Sequence, residues 1–465
     1  MSTKQSKQAE QLAKLREKEK KSEAFLKNMT FIMVLITIIY VVDEITSNIN
    51  LMKPYMIFDL FKIPNADAST PEYASAISKM TVAALPTTLI TVFLPLYKML
   101  SDKYGRKLFL IINVLGMGIG MLTCMVAPNY IVYIIGTVIF GFFTPNDMQV
   151  IYIMEIAPKE KRATYCSVTK GIALLSVSLI GVLRSIFYDP SDLTTWRLVF
   201  LVPVIIAIAV GVISAIFLKE TPVYLQQQIE RLENNSEELK AEVKEEEAVK
   251  TSEGGLKEAF RFMKRDHQVR NLVIVDLLFM CAVALTGYAA ETMLAYGQTD
   301  ASMNTFYVVE PIVYAIFAFF SGFITDKMGR KNSGILFGMI ALVGEVAFVL
   351  AAVAGMNPVI LALCNGLMYG GLWSFSDLLY IVVPAESVPT EMRASIVGLL
   401  QYTAISNMVI SALIGVFYQF IGSRRIGLLQ LLFFVPFMLI SVLFVKKNLR
   451  ETQDVDLNEA GRESL

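Results

Sequence analysis

The sequence is poor in the residues that build metal and redox sites. It contains one histidine and four cysteines in 465 residues. His267 stands alone, and Cys124, Cys166, Cys281 and Cys364 are scattered through apolar runs, which offers no metal-ligand spacing. We therefore expect no metal site, no bound cofactor and reduced, unreactive thiols.

Charged residues are also scarce, and the two signs balance. Asp, Glu, Lys and Arg make up 18% of the chain, and the formal net charge is +0. A chain without a basic excess is not expected to bind nucleic acid. No nucleophile–base pair, phosphate-binding loop or metal cluster is visible either, so the pattern argues against an enzyme.

Long apolar runs are what the chain has in excess. Hydrophobic residues make up 55% of it, and the mean hydropathy is +0.56. A run of roughly 18 or more apolar residues spans a bilayer as a helix, the form that satisfies every backbone group in hydrocarbon. The sequence predicts an all-α polytopic membrane protein with twelve transmembrane helices. The predicted spans lie near 30–53, 75–98, 108–127, 130–155, 163–187, 196–218, 271–297, 304–325, 333–354, 358–385, 394–421 and 425–446.

The basic residues predict which way the chain crosses the membrane. Lys and Arg cluster in alternate connections, and cytoplasmic connections are the ones that carry such an excess. The short connections near 127–130, 188–195, 298–303 and 355–358 carry none, and only Arg424–Arg425 breaks the pattern. We expect a multi-pass protein of the cell (plasma or inner) membrane, with both termini in the cytoplasm.

Three short motifs occur twice, in the same order and about 230 residues apart, which indicates two copies of one unit. Asp102–Lys107 returns as Asp326–Lys331. The pattern Glu-x-x-Pro-x-x-x-Arg begins at Glu155 and again at Glu386, and Glu-Thr begins at Glu220 and again at Glu451. The predicted segments are a cytoplasmic N-terminal tail (1–29), an N-terminal six-helix half (30–218), a cytoplasmic charged helical linker (219–270), a C-terminal six-helix half (271–446) and a cytoplasmic C-terminal tail (447–465).

These paired motifs resemble those of the major facilitator superfamily. The two D-K-x-G-R-K turns, each between the second and third span of its half, look like the superfamily's hallmark loop. The Glu-x-x-Pro-x-x-x-Arg pairs and the stretch 219–225 narrow the resemblance to its sugar-porter and metabolite:proton-symporter branch. The chain departs from that branch at Lys98, Val223 and Arg450, and also where the branch binds sugar. Lys170 stands where the branch carries a sugar-binding Gln, and Val283–Gly287 replaces its Q-Q-x-S-G.

The resemblance implies two halves that expose a central site near the bilayer midplane to each side in turn. The charged residues at the cytoplasmic ends of the spans are then expected to form salt bridges that close that side in the outward-open state. The alternative is that these charges only determine how the chain is oriented in the membrane and form no such bridges. The residues are Asp102, Arg106, Glu155, Arg162, Glu220, Asp326, Arg330, Glu386, Arg393 and Glu451.

Carboxylates inside the spans are the proton-coupling candidates. Asp43 and Glu44 lie in the middle of the first span, where a charge costs roughly 2.5–3.5 kcal/mol. Burial favours the neutral form of a carboxyl group, so either residue is suited to take up a proton on one side and release it on the other. Direct contact with the solute and pairing with a neighbouring helix are the alternatives. Asp147 and Asp377, at similar depth in spans four and ten, are further candidates.

Four residues are candidates for binding the solute: Lys170, Tyr288, Glu291 and Trp373. Lys170, about two turns inside span five, either meets an anionic solute or forms a static ion pair with a carboxylate. Glu291 and Tyr288 are expected to line the cavity from the second half. Trp373 either caps a solute or fills the core.

Together these features predict a secondary active transporter that works as a monomer. We expect proton-coupled uptake of a small polar organic solute, such as a sugar, a sugar acid or an organic acid, with the proton gradient as driving force. The surplus of carboxylates over Lys170 keeps a cationic or amine solute open, and a neutral sugar is open as well. A nutrient sensor that does not transport is the remaining alternative.

Overall fold

The computed structural model describes residues 3–91, 93, 97, 100–101, 104–146, 148–158, 162–238, 260–388, 396, 399–400 and 402–453. Across this part of the chain the regular secondary structure is helical, apart from an isolated bridge between Asp189 and Asp192. The α-helices are α1 (Thr3–Leu26), α2 (Met29–Asn48), α3 (Lys53–Leu60), α4 (Pro71–Thr91), α5 (Arg106–Met125), α6 (Tyr130–Phe143), α7 (Met148–Ile156), α8 (Arg162–Ser176), α9 (Ser178–Phe187), α10 (Trp196–Phe217), α11 (Pro222–Glu238), α12 (His267–Val283), α13 (Ala289–Ala295), α14 (Asp300–Met328), α15 (Arg330–Val353), α16 (Pro358–Asp377), α17 (Val383–Ser387), α18 (Ala404–Val416), α19 (Tyr418–Ile421) and α20 (Ser423–Asn448).

Ten helical stretches in the described residues are long and apolar enough to cross a membrane. They correspond to ten of the predicted spans. The other two predicted spans, 75–98 and 394–421, each include residues outside the described ranges, and their described parts contain helices α4 and α18. Of the predicted linker, α11 is described and residues 239–259 lie outside the description, as do residues 454–465 of the C-terminal tail.

Several spans are not continuous α-helices. The first continues from α2 through a 3-10 turn at Ile49–Met52 into α3, so it reaches Leu60. The seventh breaks between α12 and α13, with a 3-10 turn at Thr286–Tyr288. Broken helices are tolerated in membranes where protein surrounds the freed backbone groups, and in transporters they mark solute and ion sites.

Contacts between Cα atoms divide the chain into two compact units. Unit 1 contains residues Met1–Ile49, Leu89–Ser176 and Arg197–Glu246. Unit 2 contains Asn50–Thr88, Val177–Trp196 and Glu247–Leu465. Unit 2 therefore joins the predicted C-terminal half to two stretches of the predicted N-terminal half.

Glycine lets neighbouring helices pack closely within each unit. In unit 1 a Cβ on Gly120 of α5 would lie 2.6 Å from the backbone nitrogen of Phe140 on α6. In unit 2 a Cβ on Gly344 of α15 would lie 2.6 Å from the backbone nitrogen of Met368 on α16. No side chain larger than hydrogen fits at either position, so these pairs depend on glycine.

Candidate functional site

The first repeated motif forms a compact polar cluster in unit 1. The Arg106 Nε donates to Glu155 Oε1 at 2.9 Å, and the guanidinium also reaches the Ser101 hydroxyl at 3.0 Å. The second carboxylate oxygen of Glu155 accepts from the Thr221 hydroxyl. Glu220 accepts from the backbone N–H groups of Arg106 at 2.9 Å and Lys107 at 3.1 Å.

The second copy forms the same cluster in unit 2. Arg330 donates to Glu386 from Nε at 3.0 Å and from a terminal nitrogen at 2.8 Å, and the Thr452 hydroxyl donates to Glu386 at 2.6 Å. Glu451 accepts from the backbone N–H groups of Arg330 at 2.7 Å and Lys331 at 3.1 Å. The exposed Asp326 adds an ion pair with Arg330 at 3.1 Å. Each cluster links three parts of the sequence by charge-assisted hydrogen bonds.

The helix start explains why the motif needs a glycine beside these charges. Gly105 and Gly329 precede α5 and α15 with φ of +113° and +84°, which L side chains rarely adopt. A Cβ on Gly329 would lie 2.6 Å from the Glu451 carboxylate, so a larger residue would displace the glutamate. The first N–H groups of each helix have no intrahelical acceptor, and the glutamate supplies one where negative charge is favoured.

The clusters place the predicted salt-bridge residues in partnerships within their own half. Glu155 and Arg106 are paired in unit 1, and Glu386 and Arg330 are paired in unit 2. Asp102 and Arg393 lie outside the described residues, and Arg162 begins α8 without a described side chain. The predicted bridges between the two halves therefore stay predictions.

Asp43 is the best-defined carboxylate inside the first span. It lies on α2, is 6% exposed, and its Oδ2 accepts a hydrogen bond from Gln149 Nε2 of α7 at 2.7 Å. One turn further on, the buried Thr46 hydroxyl bonds to the backbone carbonyl of Val42 and contacts the Met121 sulfur at 3.4 Å. Gln149 thus gives Asp43 a neutral amide donor from a second helix.

The other predicted membrane residues are less enclosed. Glu44, Lys170 and Asp377 are half-buried on α2, α8 and α16. Trp373 on α16 is 48% exposed. Asp147 lies outside the described residues.

Glu291 and Tyr288 come together in unit 2 with a residue that the sequence analysis did not single out. Glu291, in the first turn of α13, is 1% exposed, and the Lys53 ammonium at the start of α3 lies 3.8 Å from its Oε1. Lys53 Nζ also lies 5.1 Å from the centre of the Tyr288 ring. That ring stacks on Tyr418 with centroids 5.4 Å apart. Lys53 was missed because it ends the predicted span 30–53, and a lysine at the end of a span needs no functional explanation.

A buried arginine joins α9 to the start of α14. The side chain of Arg184 is fully buried, and its guanidinium lies between the rings of Tyr55 at 4.1 Å and Tyr188 at 4.7 Å. It donates to the Asp300 backbone carbonyl at 3.0 Å and also bonds to the Asp300 carboxylate and the Asn304 side chain. In the predicted topology these groups lie on the outer side, and they come from both predicted halves.

Two further carboxyl groups lie deep in unit 2. Glu310 on α14 is 4% exposed, and Asn365 Nδ2 of α16 approaches it at 3.5 Å. Glu345 on α15 and Gln430 on α20 are both 0% exposed and lie close together. Within the described part of the chain, neither Glu310 nor Glu345 makes a side-chain hydrogen bond shorter than 3.5 Å. The position of Glu345 inside the apolar run 333–354 is the sequence signal that could have found it.

Comparison with known proteins identifies the family. The profile of the Major Facilitator Superfamily matches residues 25–406, and the chain belongs to that superfamily. It is 24% identical over 367 residues to the metabolite transport protein YwtG of Bacillus subtilis, covering 72% of this chain and 78% of that protein. It is 21% identical over 384 residues to the glucose transporter GlcP of Staphylococcus epidermidis, covering 77% and 82%.

A solved structure shows the same fold. The crystal structure of a D-xylose–proton symporter superposes with a TM-score of 0.66 at 14% identity, covering 91% of this chain and 98% of the other. The predictions of an all-helical major facilitator fold and of a protein that is not an enzyme are confirmed. The protein is a multi-pass membrane transporter of the superfamily.

Proposed function

We propose that this transporter couples the uptake of a small polar organic solute, such as a sugar, a sugar acid or an organic acid, to the inward movement of protons. The environment of Asp43 is the observation that carries the proposal. A buried carboxyl group on the first span bonds to a neutral amide on another helix of the same unit.

An amide partner suits a group that changes its protonation state. The Gln149 NH₂ donates to the ionised carboxylate, and its carbonyl oxygen accepts from the carboxylic acid after a rotation of the amide. The contact between Asp43 and Gln149 can therefore be kept in both protonation states, and losing it would cost about 1–3 kcal/mol.

The relatives support the solute class at a coarse level. Their names describe a glucose transporter and a metabolite transport protein, and the superposed structure is a D-xylose–proton symporter. A sugar is therefore the first solute class to test, followed by sugar acids and organic acids.

The test is uptake into proteoliposomes with an inward proton gradient. We expect Asp43→Asn to reduce gradient-driven uptake to the level of protein-free liposomes and to leave solute exchange without a gradient intact, because the amide mimics the protonated carboxyl group. Glu44→Gln and the double variant show which of the two carboxylates carries the proton.

Asp276→Asn is the matched control. Asp276 is a fully buried aspartate of α12 in unit 2, bonded to the Thr403 hydroxyl. We expect this variant to keep gradient-driven uptake. Undiminished gradient-driven uptake in the Asp43→Asn, Glu44→Gln double variant would reject proton coupling through this site.

A further inference from the structure

Glu291 is a buried carboxylate whose charge is only loosely compensated. It is 1% exposed, and its Oε1 receives no hydrogen bond from the residues that the structure describes. The Lys53 ammonium lies 3.8 Å from that oxygen, beyond hydrogen-bond distance, and the Lys53 side chain is 27% exposed. Burying a carboxylate costs free energy unless a cation or several hydrogen-bond donors satisfy it. A donor closer to Oε1 than Lys53 would therefore stabilise the ionised form of Glu291.

A pair of stacked tyrosine rings lies beside the Lys53 ammonium. Tyr288 stacks on Tyr418, and the Lys53 ammonium lies over the Tyr288 ring. Tyr73 lies within electrostatic range of Glu291, and its fully buried hydroxyl has no hydrogen-bond partner in the described ranges. A carboxylate with aromatic faces and a spare hydroxyl is the chemistry that recognises an ammonium group.

We propose that Glu291, with Tyr288 and Tyr73, is the binding point for the ammonium group of an amine-bearing solute, and that Lys53 occupies this point as a tethered substitute in the structure described. The inference rests on the proposed function, because it names the class of solute that the transporter takes. It favours an amino sugar or another small polar amine over an uncharged sugar or an anion.

Alternating access explains why the tethered cation and the solute would replace each other. Lys53 belongs to the predicted N-terminal half and Glu291 to the predicted C-terminal half, and rocking of the halves separates groups that meet on one side. Separation removes the counter-charge of Glu291 and opens the carboxylate to the side from which the solute arrives. A solute ammonium restores the charge balance, and the return of Lys53 expels it.

The experiment measures the affinity of purified full-length protein at pH 7.5 for three solutes that share a pyranose ring. D-Glucosamine carries an ammonium group, D-glucose carries no charge, and D-glucuronate carries a carboxylate. We expect D-glucosamine to bind most tightly. Glu291→Gln should weaken its binding roughly 10- to 100-fold, the loss expected for a hydrogen bond to a charged group, and leave the affinity for D-glucose unchanged.

Lys53→Met provides a second, opposite readout. Removing a competitor held at an effective concentration of about millimolar should strengthen D-glucosamine binding severalfold, and a general packing defect would not tighten binding. The variant also keeps the test available if Glu291→Gln does not fold. Glu345→Gln is the matched control, because it makes the same substitution at another fully buried glutamate of unit 2 and should leave all three affinities as they are.

Three results would overturn the inference. The first is equal D-glucosamine affinity in the Glu291→Gln variant and the natural protein. The second is preferential binding of D-glucose or D-glucuronate that Glu291→Gln does not affect. The third is weaker D-glucosamine binding at pH 5.5 than at pH 7.5, which would make a proton the occupant of the Glu291 carboxylate. D-Glucosamine uptake that survives Glu291→Gln would reject only this inference, whereas failure of the natural protein to transport any solute would reject the proposed function.

Discussion

At the scale of single residues, Glu220 and Glu451 are twins in sequence that differ in their surroundings. Burial raises the pKa of Glu220, and the backbone donors of Lys107, Thr221 and Arg106 only partly offset it. Burial also acts on Glu451, but four backbone N–H donors outweigh it and hold the pKa of that carboxyl group below its ordinary value. The pKa of Glu220 therefore lies above 4.5, whereas the pKa of its counterpart Glu451 lies below 4.5.

These shifts predict that acid loosens the second cluster before the first. The folded pKa of Glu451 lies below its unfolded value, so its stabilisation is fully present above pH 4.5 and is lost as the pH falls through the folded pKa. The folded pKa of Glu220 lies above its unfolded value, so its contribution is greatest at low pH and is lost as the pH rises through the folded pKa. We expect acid to accelerate amide exchange at Arg330 and Lys331 before it does so at Arg106 and Lys107.

Hydrogen–deuterium exchange as a function of pH, corrected for the intrinsic exchange rates, measures this order. Glu220→Gln should remove the pH dependence at the start of α5 and leave the start of α15 unaffected. Loss of protection at both helix starts at one pH would contradict the prediction.

The sequence motifs predicted which residues lie at the same end of the spans. They did not predict which atoms of those residues form hydrogen bonds. Arg106, Glu155 and Glu220 were all assigned to the cytoplasmic ends of spans, and the structure joins them in one cluster. The Thr221 hydroxyl is part of the same cluster, yet a threonine in an apolar chain carries no comparable signal. Glu345 and Gln430 were missed because their proximity depends on the packing of α15 against α20, which a sequence does not display.

At the scale of helices, Arg184 is the strongest link between α9 and α14. Its buried guanidinium lies between two tyrosine rings and bonds to three groups on the first two turns of α14. A cation–π contact and a charge-assisted hydrogen bond each contribute about 1–2 kcal/mol when they are shielded from water. The same two helices touch where a Cβ on Gly181 would lie 2.9 Å from the Tyr307 backbone, so the link is short and rigid.

We expect Arg184→Met to weaken this link by about 2–4 kcal/mol, because it removes the charge and keeps most of the side-chain volume. Hydrogen–deuterium exchange should then rise across residues 178–187 and 300–308. Lys62→Met is the matched control, because Lys62 pairs with Asp59 at 2.9 Å in the same unit but is 79% exposed.

An exposed pair of that kind contributes at most about 1 kcal/mol. We therefore expect the Lys62→Met variant to exchange at the rate of the natural protein. Equal exchange in the two variants would show that the buried arginine does not hold the helices together.

At the scale of the whole molecule, the repeat in the sequence was sufficient to predict the superfamily fold, which the family match and the structural superposition confirm. The apolar runs predicted the positions of the spans, and the paired motifs predicted that the spans form two six-helix halves. The breaks within spans were not predicted. The interruption at Ala284–Tyr288 was missed within the predicted span 271–297, because no proline or charged residue lies between 284 and 288.

The topology prediction applies to the whole chain and can be tested with single cysteines. In a chain whose four native cysteines are replaced by alanine, Ser191→Cys lies in the connection between α9 and α10, and Lys18→Cys lies on α1. Positive residues favour the cytoplasmic side, so we expect a membrane-impermeant maleimide to label position 191 in intact cells and position 18 only after permeabilisation. The reverse pattern of labelling would place both termini outside.

The two glutamates that cap α5 and α15 also set the order in which each half is completed during synthesis. Glu220 lies 114 residues after the helix start that it caps, and Glu451 lies 121 residues after its own. A ribosome adds roughly 5–20 residues per second, so each helix start is made roughly 6 to 24 seconds before its cap leaves the ribosome. Until then the two exposed N–H groups and the arginine beside them stay open, and a half truncated before its final Glu-Thr lacks the residues that close its cluster.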